Sequence, residues 1–179
     1  MRAAHRLLRE ATSEAHERLD TLFMGFDLTT PDGYRRFIGA QASAMLPIEA
    51  ALDAGGAEQV VADWPGRRRG SALLADAAEL GITPEPVAAA TPYRDLPALA
   101  GALYVVEGSR HGARHLRRLV APDQPAKFLN LEQVSGSWVN LLDRIDAILY
   151  EPAARSTAKA AALATFDCFE RAGRNWMNH

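Results

Sequence analysis

Alanine outnumbers valine and isoleucine together by 34 to 13, and this imbalance decides the class of fold before any motif is read. β-Branched side chains lose rotamer freedom in a helix and suit a pleated surface, whereas alanine is the strongest helix former. No stretch alternates apolar and polar residues between turn signals, as a half-buried strand would. The expected fold class is all-α. With 179 residues and no long linker or internal repeat, the chain reads as a single domain, residues 1–179. Twenty basic residues against 22 acidic ones give a net charge of −2, and nothing global argues for a nucleic-acid partner. The longest apolar run, Leu96 to Val106, is too short to span a bilayer and contains Pro97, so no membrane partner is expected. The first 18 residues carry charges throughout and lack the apolar centre of a secretory signal. One cysteine, Cys168, cannot close an intrachain disulfide. The cytoplasm is the expected compartment.

Periodicity places the helices. Leu8, Ala11, Ala15, Leu19 and Leu22 form one apolar stripe, which predicts a helix over residues 3–22. Thr30 as N-cap, Pro31 at the first helical position and Asp32 in the first turn open a second helix. Pro47 should kink it and Gly55-Gly56 should end it. A short helix near Glu58 to Ala62 and a basic break at Arg67 to Gly70 follow. A helix over Ser71 to Leu80 stops at Gly81, and the segment from Thr83 to Pro97, with Pro84, Pro86 and Pro92 inside it, reads as a loop. Further helices are expected over Ala98 to Leu119, Leu131 to Tyr150 and Ala153 to Arg174.

The helix from Ala98 holds the unusual residues. Gly101, Gly108 and Gly112 fall on one face of it. Each glycine inside a helix costs about 0.5–1 kcal/mol relative to alanine, so three together require a reason. One reason is close packing against another helix. The other is that the backbone lies against a flat, bulky ligand, with Ser109 and nearby carbonyls free to hold water. His16, beside the apolar stripe of the first helix, is either a partly buried side chain or a nitrogen ligand for a haem iron, with Asp20 one turn on to orient its ring.

At these residues the chain resembles a known family. LREATSEAHERLDTLF is similar to the first helix of the haem oxygenases, and ALYVVEGSRHGARHL to their distal helix. The form is nearest to the bacterial branch associated with bacteriophytochromes. GYRRFIGAQASAMLPIEAALD and ATFDCFE fit that branch as well, so the resemblance spans nearly the whole chain. It implies a single-domain helical bundle of the haem oxygenase type. The reaction it implies is the opening of haem to biliverdin, carbon monoxide and ferrous iron, with O2 and an external electron donor. Carried over by position, His16 becomes the proximal iron ligand, and Gly108 and Gly112 the distal glycines. Ser109 stands where many relatives outside the branch hold a distal water network through an aspartate. Arg9, two turns before His16, and Arg144, after Trp138, become propionate partners. A reductase or ferredoxin is the implied electron donor, and a bacteriophytochrome the implied acceptor of biliverdin.

The chain departs from that pattern at Arg110, His111, Ala113 and Arg114. Arg110 and Arg114 lie about 160–200° from the glycine face and read as a solvated pair, whereas His111 lies only about 60–100° away and is placed to approach the distal pocket. There it would ligate iron, donate to bound oxygen or narrow the pocket. A haem-binding or sensing protein without turnover is therefore a second reading. A non-haem metal site on the ladder Glu107, His111 and His115 is a third. A protein-docking patch at Arg67 to Arg69 is a fourth. His5 is expected to lie in a frayed terminus, and Trp64, Trp138, Trp176 and Cys168 to serve packing.

Overall fold

The computed structural model describes residues 2–88 and 93–179, and all regular structure among them is helical. Among the described residues nine α-helices follow one another: α1 (Ala3–Phe23), α2 (Pro31–Gly55), α3 (Trp64–Arg67), α4 (Gly70–Glu79), α5 (Leu96–Gly108), α6 (Ala113–Arg117), α7 (Lys127–Asn130), α8 (Ser137–Ile148) and α9 (Pro152–Met177). Two 3₁₀ turns, Ala57–Gln59 and Ser109–Gly112, lie between them. The helix expected over Glu58 to Ala62 is thus a single 3₁₀ turn. Of the Pro-rich loop, Pro92 lies outside the described residues.

Local signals set the ends of α2. The Thr30 hydroxyl accepts the Gly33 backbone N–H at 3.1 Å, and Gly56 closes the helix in the left-handed conformation with φ +79°. Pro47 sits inside α2 and has no N–H for the carbonyl of Ser43. That carbonyl instead accepts the Val87 N–H at 3.0 Å, which ties the loop after α4 to the bundle. The Ser43 hydroxyl accepts the indole N–H of Trp176 at 2.9 Å, a second tie from α2, here to α9.

α9 is the central post, with α1, α2 and α5 all packed on it. The buried stripe of α1 runs through Ala4, Leu8, Thr12 and Ala15. α5 crosses α9 at Gly101, where an added Cβ would lie 2.9 Å from the Ala158 carbonyl carbon and closer still to its oxygen. Only glycine permits that approach. α8 packs on both α1 and α5. It is fixed to the start of α1 by Arg2 on Asp143 at 2.5 Å and by the Ala4 N–H on Asp146 at 3.0 Å. α1 and α5 therefore lean on the same two supports, α8 and α9.

Two expected helices are shorter than their periodicity implies. The helix expected from Leu131 begins only at Ser137, because Gly136 takes φ +79°, and Leu131 and Val134 lie exposed before it. The helix expected through Leu119 leaves α geometry at Ser109 and resumes only as the short α6. His5 is not frayed: it is seated inside α1, its ring 5.9 Å from that of Tyr104 and 6.0 Å from that of Trp138. Trp64, Trp176 and Cys168 are buried in the core, as expected of packing residues.

Candidate functional site

From Leu99 to Val106 every residue of α5 except the half-buried Tyr104 is buried, and the helix then meets a charged layer. Glu107 is 1% exposed. Its Oε2 accepts Arg67 Nη1 at 3.2 Å and its Oε1 accepts Arg110 Nε at 2.9 Å. Arg110 also donates through Nη2 to the carbonyl oxygen of Arg67. Arg67 reaches Asp63 at 2.8 Å and the Ser137 carbonyl at 3.3 Å. A buried carboxylate surrounded by guanidinium groups is stable only while both sides remain, because either alone would lose its hydration without compensation.

A second layer lies behind the first. The Glu49 carboxylate accepts the backbone N–H groups of Arg69 at 2.6 Å and Gly70 at 3.0 Å. Burial pushes its pKa up, against the pull of those two N–H bonds and of Arg69 and Arg68. Arg69 Nη2 donates to the Val106 carbonyl and to the Ser109 hydroxyl, each at 2.7 Å. Its guanidinium lies 5.2 Å from the Phe128 ring centre. Full burial, and then the charge of Arg110, lower the Arg69 pKa to about 10, and the group stays protonated at neutral pH. Asp76 completes the support by accepting the N–H groups of Lys127 and Phe128, each at 2.9 Å, at the start of α7.

These contacts explain why α5 stops. The Ser109 hydroxyl donates to the Val106 carbonyl at 2.7 Å while Arg69 donates to the same oxygen, so an acceptor of the next helical turn is taken. Ser109 thus faces Arg69, keeping one hydroxyl lone pair in reserve. The Arg67–Arg69 segment is no docking patch: Arg67 and Arg69 are buried and only Arg68 is exposed. Arg110 and Arg114 are not a solvated pair either, since Arg110 turns inward onto Glu107 while Arg114 stays exposed. The ladder Glu107, His111 and His115 is not formed. The 3₁₀ turn breaks its spacing, Glu107 is held by two arginines, and among the described residues no three metal-ligating side chains come together.

The three glycines have separate fates. Gly101 is consumed by the crossing with α9. At Gly108 an added Cβ would meet only the edge of the Trp138 ring, at 3.6 Å, and at Gly112 it would meet nothing within 4 Å. Neither has an unusual backbone: Gly108 lies at φ −61°, ψ −35° and Gly112 at φ −80°, ψ −19°, both open to any residue. The fold itself requires neither to be glycine. His111 stands beside them, its Nδ1 2.9 Å from the Gly108 carbonyl oxygen and its ring 5.0 Å from that of Trp138, edge to face.

On α1, His16 is 63% exposed, with Nδ1 3.0 Å from Asp20 Oδ2 and its ring 6.0 Å from that of Phe166. An N–H donated from Nδ1 leaves Nε2 as the acceptor nitrogen, the form in which an imidazole binds a metal. Its contacts are on α1 and α9, and none reaches the glycine segment. Arg9 lies exposed on the His16 side of α1, near His5 and Tyr104: burial and then the Arg9 charge lower the His5 pKa, whereas burial raises that of Tyr104 against the pull of Arg9. Arg144 is engaged elsewhere: its guanidinium donates to the carbonyls of Val60 at 3.2 Å and Gln59 at 3.4 Å. The arginines behind α5 escaped the sequence reading, although a lone glutamate inside the apolar run LYVVEGS was a signal for a buried cation.

This architecture is the all-α helical fold of the haem oxygenases. The chain is similar to the NO- and CO-bound haem oxygenase of Neisseria meningitidis, with a TM-score of 0.75 and 21% identity over 99% of this chain and 93% of that one. It is similar also to the haem oxygenase of Leptospira interrogans, with a TM-score of 0.73 and 18% identity over 98% of this chain and 100% of that one. No protein-family model matches the sequence, and no curated protein matches it. No helix among the described residues is long and apolar enough to cross a membrane.

Proposed function

We propose that the chain is a haem oxygenase that takes haem between α1 and the Gly108–Gly112 segment and opens it to biliverdin, carbon monoxide and ferrous iron. One observation carries the reading: Gly108 and Gly112 are required neither by backbone conformation nor by packing within the chain. Their cost in helix stability makes sense where a flat ligand passes close over the backbone. His16, oriented by Asp20, offers the nitrogen for the iron. Haem, when bound, supplies the redox chemistry with O2 and electrons from an outside donor.

The residues of the chain bind, orient and hold protons. Arg9 is exposed, makes no ion pair among the described residues and suits a propionate, through the two parallel bonds a guanidinium makes to a carboxylate. Arg144 serves the other propionate only by leaving two long bonds to carbonyls. Ser109 holds water through its remaining lone pair, its position fixed by Arg69. The partners in this reading are a reductase or ferredoxin and, as biliverdin acceptor, a bacteriophytochrome, in the cytoplasm. The placement of the chain in the bacteriophytochrome-associated branch belongs to the same proposal.

His111 favours a second reading, haem binding without turnover. Held beside Gly108, it has Nε2 available to the distal side, where a second histidine on the iron would close the site to O2.

The test is a haem titration of the purified protein, followed by ascorbate or a reductase with O2. A Soret band saturating near one haem per chain and then giving way to biliverdin absorbance is the expected result. A stable band would select the second reading, and no haem binding would refute both. His16→Ala should abolish the spectral signature of the proximal histidine, and an unchanged spectrum would remove His16 from the iron.

A further inference from the structure

Arg110 is one of the four positions where this chain departs from the pattern it resembles, and it is also the side chain that closes the charged layer under the glycine segment. Its guanidinium bonds two elements at once: the Glu107 carboxylate on α5 and the Arg67 carbonyl at the end of α3. Arg67 in turn holds both Glu107 and the Ser137 carbonyl, one residue before Trp138, whose ring edge borders Gly108. The turn Ser109–Gly112 has no buried residue of its own. Ser109 bonds Arg69 and His111 lies on the Trp138 ring, and Arg110 is the side chain of the turn that bonds across to α3.

We infer that Arg110 is a positioning residue: its two-ended bond to Glu107 and Arg67 fixes the Ser109–Gly112 turn, and so sets where Gly108, Gly112 and His111 stand over a ligand. The inference on the turn stands on the protein alone, whereas its consequence for haem rests on the function proposed above. The guanidinium fork suits this task because Nε and Nη2 donate in fixed directions, one to the carboxylate and one to the carbonyl, whereas an ammonium on a flexible stem holds neither direction.

The experiment compares wild type, Arg110→Ala and Arg110→Lys by amide hydrogen exchange and by haem titration. In Arg110→Ala, exchange at residues 109–113 should rise about tenfold while α2 and α9 stay protected, the mark of local opening rather than unfolding. Unchanged exchange there would overturn the inference. Arg110→Lys, which keeps the charge and guards against collapse of the layer, should remain faster than wild type; wild-type exchange in it would show that charge alone suffices and would overturn the fork. With haem, Arg110→Ala should bind about tenfold more weakly and with an altered visible spectrum. Identical affinity and spectrum, in a variant with faster exchange, would overturn the role toward haem. Faster exchange with no haem bound even by wild type would leave the clamp standing and refute the proposed function instead.

Discussion

Replacing Gly101 and Gly112 separately by alanine separates packing from ligand contact. At Gly101 the new Cβ would fall inside the 3.0 Å that real Cβ atoms essentially never cross, against the backbone of Ala158, which cannot rotate away. α5 and α9 would have to part along a well-packed seam. Overpacking of this kind costs about 1–3 kcal/mol, and a backbone obstacle puts Gly101 at the upper end. Gain of helix propensity returns up to about 1 kcal/mol, for a net loss of about 2 kcal/mol. In a chain of this size that lowers Tm by about 4–8 °C. At Gly112 the methyl group enters open space on an ordinary backbone, so stability should hold or rise by up to about 1 kcal/mol. A methyl group between the backbone and a porphyrin face should instead weaken haem binding about tenfold, equivalent to about 1.4 kcal/mol. The assay is a thermal melt followed by a Soret titration on each variant. If Gly112→Ala lost stability as Gly101→Ala does, the space assigned to that position would be wrong. If it bound haem as wild type does, glycine at 112 would have no role in binding.

Three other perturbations test the supports. Glu107→Gln removes the carboxylate that Arg67 and Arg110 share, and breaking a buried pair on one side should cost about 3 kcal/mol, visible as a lower denaturant midpoint. Thr30→Ala deletes the hydroxyl that caps α2 and should cost about 1 kcal/mol, again read from the midpoint. His5 is held below its ordinary pKa of 6.5 by burial first and then by the charges of Arg9, the amino terminus and Arg2. The unfolded chain therefore takes up this proton more readily, so the stability contributed by neutral His5 is present above pH 6.5 and lost as pH falls through the folded value. A His5→Gln variant should show a shallower fall of Tm below pH 6.5 than wild type, and equal slopes would remove His5 as the cause.

Elements whose ends are set by neighbouring residues were legible in the sequence. Thr30, Pro31 and Gly56 delimit α2 by capping chemistry that acts within a turn, and the stripe of α1 needs only its own periodicity. The long helix expected through Leu119 failed for the opposite reason. Its break depends on Arg69 reaching the Val106 carbonyl from 37 residues away, a bond that no local window contains. The same holds for the arginine run. Three arginines at a turn read as solvated by composition, yet Glu49 on α2 and Glu107 on α5 draw the flanking loop and side chains inward once the helices pack.

The residues proposed to face a ligand and those holding them in place are therefore legible to different degrees, and the departure at Arg110 shows why. His16, Gly108, Ser109 and Gly112 stand in local motifs, because a histidine or glycine does its work at the point where it stands. Arg110 works through Glu107 and through the Arg67 carbonyl, whose places on α5 and α3 are fixed only when α8 and α9 seat α5 and the Ser137 carbonyl at the start of α8 takes the Arg67 side chain. An arginine three residues after a buried glutamate on a helix is a readable pair. Its second bond is not, and that second bond turns a local ion pair into a clamp across elements. A substitution that looks like a break in a binding motif thus becomes, in three dimensions, the support that lets the turn keep its place.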